Sequence, residues 1–463
     1  MTIVTKHRGS YTATSEFSEE RFKRYFNEIV QDTGQKHDQA KLDEIVQDII
    51  DFVNSFETVT SKKLNEYVLR YTNEAISKDH PDLKWVCASA LRRQLYKDVS
   101  TLRGFDYKEG LGDFYTLLRI GVESGILDES LIDDYSKNDI DALGSMIKKE
   151  YDKNLDFAGL GLLIDKYLPR NYNDEVLVLP QEMFMLVSMY IMKDEDSVNR
   201  LEYVKDMYES LGLLLLGLAT PTLLNAGRPT GSLSSCHIVT VGDNLQNIMD
   251  TNKQIARFSQ NGAGTAAYLG FLRGSGSWIR GYKGRASGVV HPSRLLNVIG
   301  EYVDQLGSRK AGIALYLPLF HSDVQEFLEL RLKTGTQEKR AHSIQIGVCI
   351  NDEFMRRLEK REMWTLFDPY EFEKVMGVNL NKLYDLKKLG EGETPNKEDH
   401  AFTYYYRKAE NSGQLQLAKK VQATEIYKGI YQSRKTSGVP YLFFSDTVNR
   451  KNPNKHAGMI YSS

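Results

Sequence analysis

The chain is poor in cysteine, tryptophan and proline, with three Cys, three Trp and eleven Pro in 463 residues. Cys87, Cys236 and Cys349 are far apart and odd in number, which argues against a disulfide scaffold and a Cys-rich zinc site. No apolar run approaches the ~20 residues that cross a bilayer. The opening Met-Thr-Ile-Val-Thr-Lys-His-Arg-Gly lacks the apolar core of a secretory signal. A formal net charge of −2 gives no basic field to draw the chain to nucleic acid or an anionic membrane. The expectation is a cytoplasmic protein with neither nucleic acid nor membrane as partner.

What is present is an ordinary globular composition, 41% hydrophobic and 26% charged, over a length that suits two to four domains. Residues 1–100 read as a small domain. Phe22, Tyr25, Phe26, Ile29 and Val30 recur at helical spacing after a helix start near Ser18. Leu64, Tyr67, Val68 and Tyr71 follow Thr60 and Ser61 in the same way. Residues 101–218 read as mainly helical, with little proline and a core at Leu117, Leu118, Ile120, Met183, Leu186, Val187 and Tyr190. From residue 219 the texture becomes α/β. Strand-like runs at His237–Val241, Gly312–Leu317, Ser343–Ile350 and Tyr441–Phe444 alternate with helical patterns at Asp323–Leu332 and Glu353–Leu358. The polar stretch Lys387–His400 reads as a solvated excursion.

Among residues able to carry chemistry, Cys236 stands at the entry to a strand after Ser234 and Ser235. An arbitrary cysteine is more often a buried structural thiol, and an isolated Thr220 or Ser235 more often a turn or cap residue. Eight glycines fall within Asn261–Gly288, interleaved with Arg273 and Arg280. Glycines permit the close backbone approach that phosphate cradles require, and guanidinium groups clamp phosphate. The segment is neither a Walker A loop nor a dinucleotide fingerprint.

Three motifs resemble the large, catalytic subunit of class I ribonucleotide reductases: Ala-Thr-Pro-Thr-Leu-Leu-Asn-Ala-Gly, Gly-Ser-Leu-Ser-Ser-Cys-His-Ile, and Gly-Met-Ile-Tyr-Ser-Ser at residues 458–463. The resemblance implies that Cys236 is one of two thiols that reduce the substrate, with Cys87 and Cys349 structural. It implies that Thr220 and Ser235 contact the ribonucleotide. It makes Asp243, Asn244 and Leu245 the ribose and base strip of a deoxynucleoside triphosphate effector site, with Arg273 and Arg280 on its phosphates. Asp304–Gly312 would connect effector to substrate. The N-terminal Val-Thr-Lys-His-Arg-Gly resembles an ATP cone, which places Lys6, Arg21 and Thr60 at an activity site for ATP or dATP.

The implied fold is α/β: a helical ATP-cone-like domain (1–100), a helical domain (101–218), then the first half of a ten-stranded α/β barrel (219–463). The implied activity is a thioredoxin-disulfide type ribonucleoside-diphosphate reductase that makes deoxyribonucleotides for DNA synthesis. It binds no cofactor directly and takes ATP and deoxynucleoside triphosphates as effectors. The metal-radical cofactor belongs to a small radical-generating partner subunit, and thioredoxin or glutaredoxin restores the thiols. In the family an Asn-x-Cys-x-Glu segment with the radical cysteine follows the match to Ser463. The expectation is therefore a complementary C-terminal large-subunit fragment as partner. Alternatives are an inactive nucleotide-binding regulatory fragment, or one segment of an intein-interrupted gene.

Overall fold

The computed structural model describes residues 2–8, 11–280, 284–305 and 309–463. Gly281 and residues 306–308 of the segments above lie outside that set, as do the side chains of Lys6, Arg280 and those at 304, 305, 309 and 310. The chain divides into two compact units, Met1–Leu233 and Ser234–Ser463.

In the first unit β1 (Ile3–Arg8) pairs antiparallel with β2 (Tyr11–Glu16) and parallel with β3 (Thr58–Thr60). Four helices follow the sequence periodicity: α1 (Glu19–Asp32), α2 (Gln39–Asn54), α3 (Ser61–Glu74) and α4 (Leu83–Arg103). The α1 stripe buries Phe22, Phe26 and Ile29 and half-buries Tyr25 and Val30. It packs with Ile45 and Ile49 of α2, Val68 of α3 and Val86 of α4. Ser18 caps α1 by accepting the Arg21 amide at 3.3 Å, and Thr60 caps α3 by accepting the Lys63 amide at 3.1 Å. The seam placed near residue 100 falls in the last turns of α4. A second core gathers Leu117, Leu118, Met183, Leu186 and Val187. Ile120, expected there, is 37% exposed. It lies off the face that Phe114, Leu117, Leu118 and Gly121 define on their helix.

The second unit is built on a five-stranded sheet in the order β14-β11-β10-β5-β4, every neighbouring pair parallel. Its strands are β4 (Cys236–Thr240), β5 (Gly264–Tyr268), β10 (Ile313–Pro318), β11 (Gln345–Ile350) and β14 (Tyr441–Phe444). Three two-stranded ribbons decorate the connections: β6 (Trp278–Arg280) with β7 (Gly284–Arg285), β8 (Asp304–Gln305) with β9 (Arg309–Lys310), and β12 (Met363–Leu366) with β13 (Lys419–Gln422). β5 is the strand the sequence pattern did not announce, because Gly-Thr-Ala-Ala-Tyr sits inside the glycine-rich run. One face of the sheet carries Val239, Ala267, Leu315, Leu317, Ile346 and Val348 into the main core beneath the helices. The other face carries Ala266, Tyr268, Tyr316, Cys349 and Phe443. β4 and β14 are edges, each with one hydrogen-bonded neighbour, and Ile238, Tyr441, Leu442 and Phe444 are exposed on them. Lys387–His400 is mostly exposed, and its base is closed by a bridge between Asp385 and buried His400. Among the described residues, no helix is long and apolar enough to cross a membrane.

Buried carboxylates tie the C-terminal ends of these strands. Asp446, just after β14, accepts from Asn351 Nδ2 at 3.1 Å, the Asp352 amide at 2.6 Å and the Asp385 amide at 3.1 Å. One side chain thereby joins β11, β14 and the foot of the excursion. Burial pushes its carboxyl up to about 7, with repulsion from Asp385 and Asp352 adding to the rise.

Because the folded value lies above the unfolded 3.8, protons favour the folded chain. The contribution is whole below about pH 4 and is lost as pH rises through about 7. Relative to Asp446→Asn, the unmodified chain should lose on the order of 4 kcal/mol of unfolding free energy between about pH 4 and pH 8. Urea titrations of both proteins at the two pH values measure this. Parallel pH profiles would remove Asp446 as the cause.

Candidate active site

The sheet register decides what surrounds Cys236. Side chains alternate between faces, so Cys236 shares a side with its partner Gly264 and, one step on, with Ala266 and Ala314. On β11 the same side continues with Gln345, paired with Ala314, and then Gly347, paired with Tyr316, where a Cβ would come within 2.3 Å of the Tyr316 ring. Small residues thus form a floor beside the thiol, and the Tyr316 ring lies across its far part. Cys236 is exposed. Its sulfur is 3.5 Å from the Ser235 hydroxyl, and the Ser235 carbonyl accepts the Gly264 amide at 2.7 Å, which fixes the turn into β4.

The segment Gly458–Ser463 lies against this same face. Asn449 holds the Ile460 backbone from both sides, accepting its amide at 2.8 Å and donating to its carbonyl at 3.0 Å. The Tyr461 ring packs on Tyr268 and Phe271, and its carbonyl accepts from the Cys349 thiol at 3.4 Å. The hydroxyls of Tyr316 and Ser463 are hydrogen-bonded at 2.7 Å. Cys87 and Cys349 are buried. Burial pushes the Cys87 thiol up to about 12 and the Cys349 thiol higher still.

Thr220 belongs to the first unit, where its hydroxyl is 2.9 Å from the Tyr167 hydroxyl. Nearby, the Thr222 hydroxyl and the Asn225 amide pin the Leu233 and Ser232 carbonyls at 2.9 and 2.6 Å. Arg228, not singled out from sequence, donates to the Ile126 carbonyl at 3.4 Å. Burial alone lowers its guanidinium to about 10.

The structure brings Asp243 and Arg273 together. The carboxylate takes Arg273 Nε at 2.7 Å, a second guanidinium nitrogen at 2.7 Å and the Arg273 amide at 3.1 Å. Arg273 also donates to the Trp278 carbonyl at 2.5 Å and sits 4.2 Å from the centre of the Tyr370 ring. Asn244 caps the helix Leu245–Gln260 by accepting the Asn247 amide at 2.8 Å, and Leu245 is 75% exposed at its start.

In and just after the glycine-rich segment, four donors are held by buried carboxylates: Asp323 accepts from the Ser275 and Val289 amides at 2.9 and 3.1 Å, and Asp368 from the Gly274 amide at 2.7 Å and the Ser277 hydroxyl at 3.0 Å. A Cβ at Gly274 would lie 1.8 Å from Ser322 Oγ, and one at Gly288 2.0 Å from Asp323 Oδ2. These two glycines let the loop press onto its anchoring carboxylates.

In the first unit, Arg21 and Ser61 line a cavity of about 380 Å³ with Ser18, Tyr25, Arg93 and Lys97. Burial pushes the Tyr25 hydroxyl up to about 12, and it donates to Asn65 Oδ1 at 2.5 Å. Among the described residues no three His, Cys, Asp or Glu side chains are grouped to hold a metal ion.

With this geometry in view, residues 234–463 match the description "Ribonucleotide reductase, barrel domain" and residues 153–231 "Ribonucleotide reductase, all-alpha domain". The chain is 33% identical over 406 residues to a Synechocystis "Ribonucleoside-diphosphate reductase subunit alpha", covering 87% of this chain and 50% of that protein. It is 30% identical over 415 residues to an Arabidopsis thaliana "Ribonucleoside-diphosphate reductase large subunit", covering 88% and 46%. A mimivirus large subunit is 26% identical over 462 residues, covering 100% and 48%. The chain spans about half the length of the curated relatives it matches. It belongs to the ribonucleotide reductase large-subunit family.

Accessible and buried thiols should separate cleanly. Iodoacetamide on the native chain should label Cys236 and spare Cys87 and Cys349 until denaturant is added. Peptide mass spectrometry reads the three sites, and native labelling of Cys349 at the Cys236 rate would contradict the burial described above.

Proposed function

From this membership we propose that the chain supplies the regulatory region and the thiol-bearing first half of the barrel of a ribonucleoside-diphosphate reductase large subunit. The observation that carries the reading is the exposed Cys236 at the head of β4, beside Ser235 and a floor of Gly264, Ala266 and Ala314. A flat floor next to a reducing thiol suits a ribose ring held close to sulfur.

In this reading the 2′ hydroxyl of a ribonucleoside diphosphate leaves as water. Two thiols, Cys236 and one from a complementary segment, supply two electrons and become a disulfide. Thioredoxin or glutaredoxin returns them to thiols by exchange. A small partner subunit carries the metal-radical cofactor and starts the reaction. The complementary segment, on the same or another polypeptide, supplies the radical cysteine, its carboxylate and the strands that pair with the free edge of β14. Gly458–Ser463 covers the Tyr268, Tyr316 and Cys349 end of the inner face, and the complementary segment would cover exposed Cys236 to exclude water. Thr220 and Ser235 are the substrate hydroxyls of this proposal.

Effector control is assigned to Asp243, Asn244, Leu245, Arg273 and Arg280. The pairing of Asp243 with Arg273 gives a ligand ribose and phosphate two adjacent, already oriented groups. The cavity at Arg21 is the proposed site for ATP or dATP, with Lys6 and Thr60. It also sustains a second reading, a purely regulatory nucleotide-binding module.

The two readings part in an assay that supplies the complementary half, the small subunit, reductant and ribonucleoside diphosphates. Cys236→Ser should abolish multiple turnover while effector binding persists, and undiminished turnover would remove Cys236 from the chemistry. Arg273→Ala should weaken deoxynucleoside triphosphate binding about tenfold or more, from a charge-assisted contact of roughly 1.5–3 kcal/mol. Calorimetry showing unchanged affinity would move the effector site elsewhere.

A further inference from the structure

A second cavity in the first unit, of about 630 Å³, lies between α1, α4, the chain just after α4 and the 3₁₀ turn Lys149–Asn154. It touches the Arg21 cavity only through Arg93, Tyr107 and Lys108. Its charges do not balance. Asp32 is already shared by Arg92, by Lys153 at 3.1 Å and by the Ser89 hydroxyl at 3.1 Å. Glu28 is taken by Arg93 at 2.5 Å. Glu150, the remaining acid on the wall, is exposed.

Lys149 is left over. Its ammonium donates to the Tyr107 carbonyl and sits 4.9 and 5.5 Å from the ring centres of Tyr96 and Tyr107. Among the described residues no carboxylate forms an ion pair with it. Burial holds this ammonium below the usual lysine range despite the more distant pull of Asp32. A half-buried cation without a counter-ion is costly. Arg92, Lys108 and Lys153 around it add to the positive potential rather than relieve it.

We propose that this cavity is an anion site for an oligophosphate chain, with Lys149 as its central charge. An oligophosphate fits better than a single carboxylate because its oxygens reach along the cavity to several cations. Compact ammonium groups and guanidinium forks both bind such oxygens. The volume lies within the roughly 300–1,000 Å³ of ordinary ligand cavities. A bound anion would link α1 to the Lys149–Asn154 turn and so brace the cone-like helices against the segment that follows. The inference rests on these side chains alone and stands apart from the reductase reading.

The test is calorimetry of the full chain with inorganic tripolyphosphate, in an Arg21→Ala background that silences the neighbouring cavity. Saturable binding should remain in that background. It should weaken roughly tenfold in Lys149→Gln and persist in Lys149→Arg, which keeps the charge. Should Lys149→Gln fail to fold, Lys108→Gln, at an exposed position, should still weaken binding several-fold. Tripolyphosphate should also raise the melting temperature in the Arg21→Ala background, as any ligand of the folded state does. Binding unchanged by both glutamine variants, or abolished by Arg21→Ala alone, overturns the site. Binding of ATP with tripolyphosphate silent overturns it too, in favour of a nucleoside pocket.

Discussion

Parallel strands cannot leave a face of their sheet in water, and the second unit is organised around that constraint. The outer face meets it with Val239, Ala267, Leu315 and Val348 packed beneath helices. The inner face meets it with small residues, tyrosines and the Gly458–Ser463 segment. The position of the exposed Cys236 thiol follows from packing of the opposite side. A slip of one residue between β4 and β5 would turn Cys236 into the helix layer and Val239 into the cleft. The hydrophobic core therefore aims the thiol without touching it.

Loops around the sheet are held by buried carboxylates that each gather several donors. Asp323 and Asp368 pin the glycine-rich run, Asp446 ties β11 to β14, and fully buried Glu353 receives Arg356, Arg357 and Arg407. Burial works against the Glu353 charge, but the Arg407 and Arg357 guanidinium groups outweigh it and hold the carboxyl below its usual range. Such clusters stabilise little beyond what apolar packing would, yet removing one member strands the others. Their value here is geometric: Asp323 and Asp368 hold the glycine-rich run, Asp446 the ends of β11 and β14, and Glu353 the two helices that carry its arginines.

The edges of the sheet are the open part of the second unit. β14 offers unpaired backbone groups beside exposed Tyr441, Leu442 and Phe444, and β4 does so beside Ile238. Further strands would satisfy both the hydrogen bonds and the apolar side chains. In the first unit, two cavities lined in part by cationic side chains share Arg93, Tyr107 and Lys108 in their walls.

Local pattern alone was enough to place the amphipathic helices, since Phe22, Phe26 and Ile29 obey a 3.6-residue period that any core would exploit. It also located β10, β11 and β14 within a residue or two, because each is a mostly apolar run, buried in β10 and β11 and largely exposed on the edge strand β14. The thiol Cys236 stood out through its motif. What sequence did not reveal was non-local. β5 hid among glycines because its Gly-Thr-Ala-Ala-Tyr run, although buried, lacks the large apolar side chains that mark a strand in sequence. Nor did sequence reveal that the space at Gly274 and Gly288 is filled by Ser322 and Asp323, which lie 34 or more residues away in the chain. The Asp243–Arg273 pair and the unbalanced Lys149 likewise depend on which charges folding brings within 4 Å. Periodicity is a property of neighbours along the chain, whereas charge compensation and van der Waals clearance belong to neighbours in space.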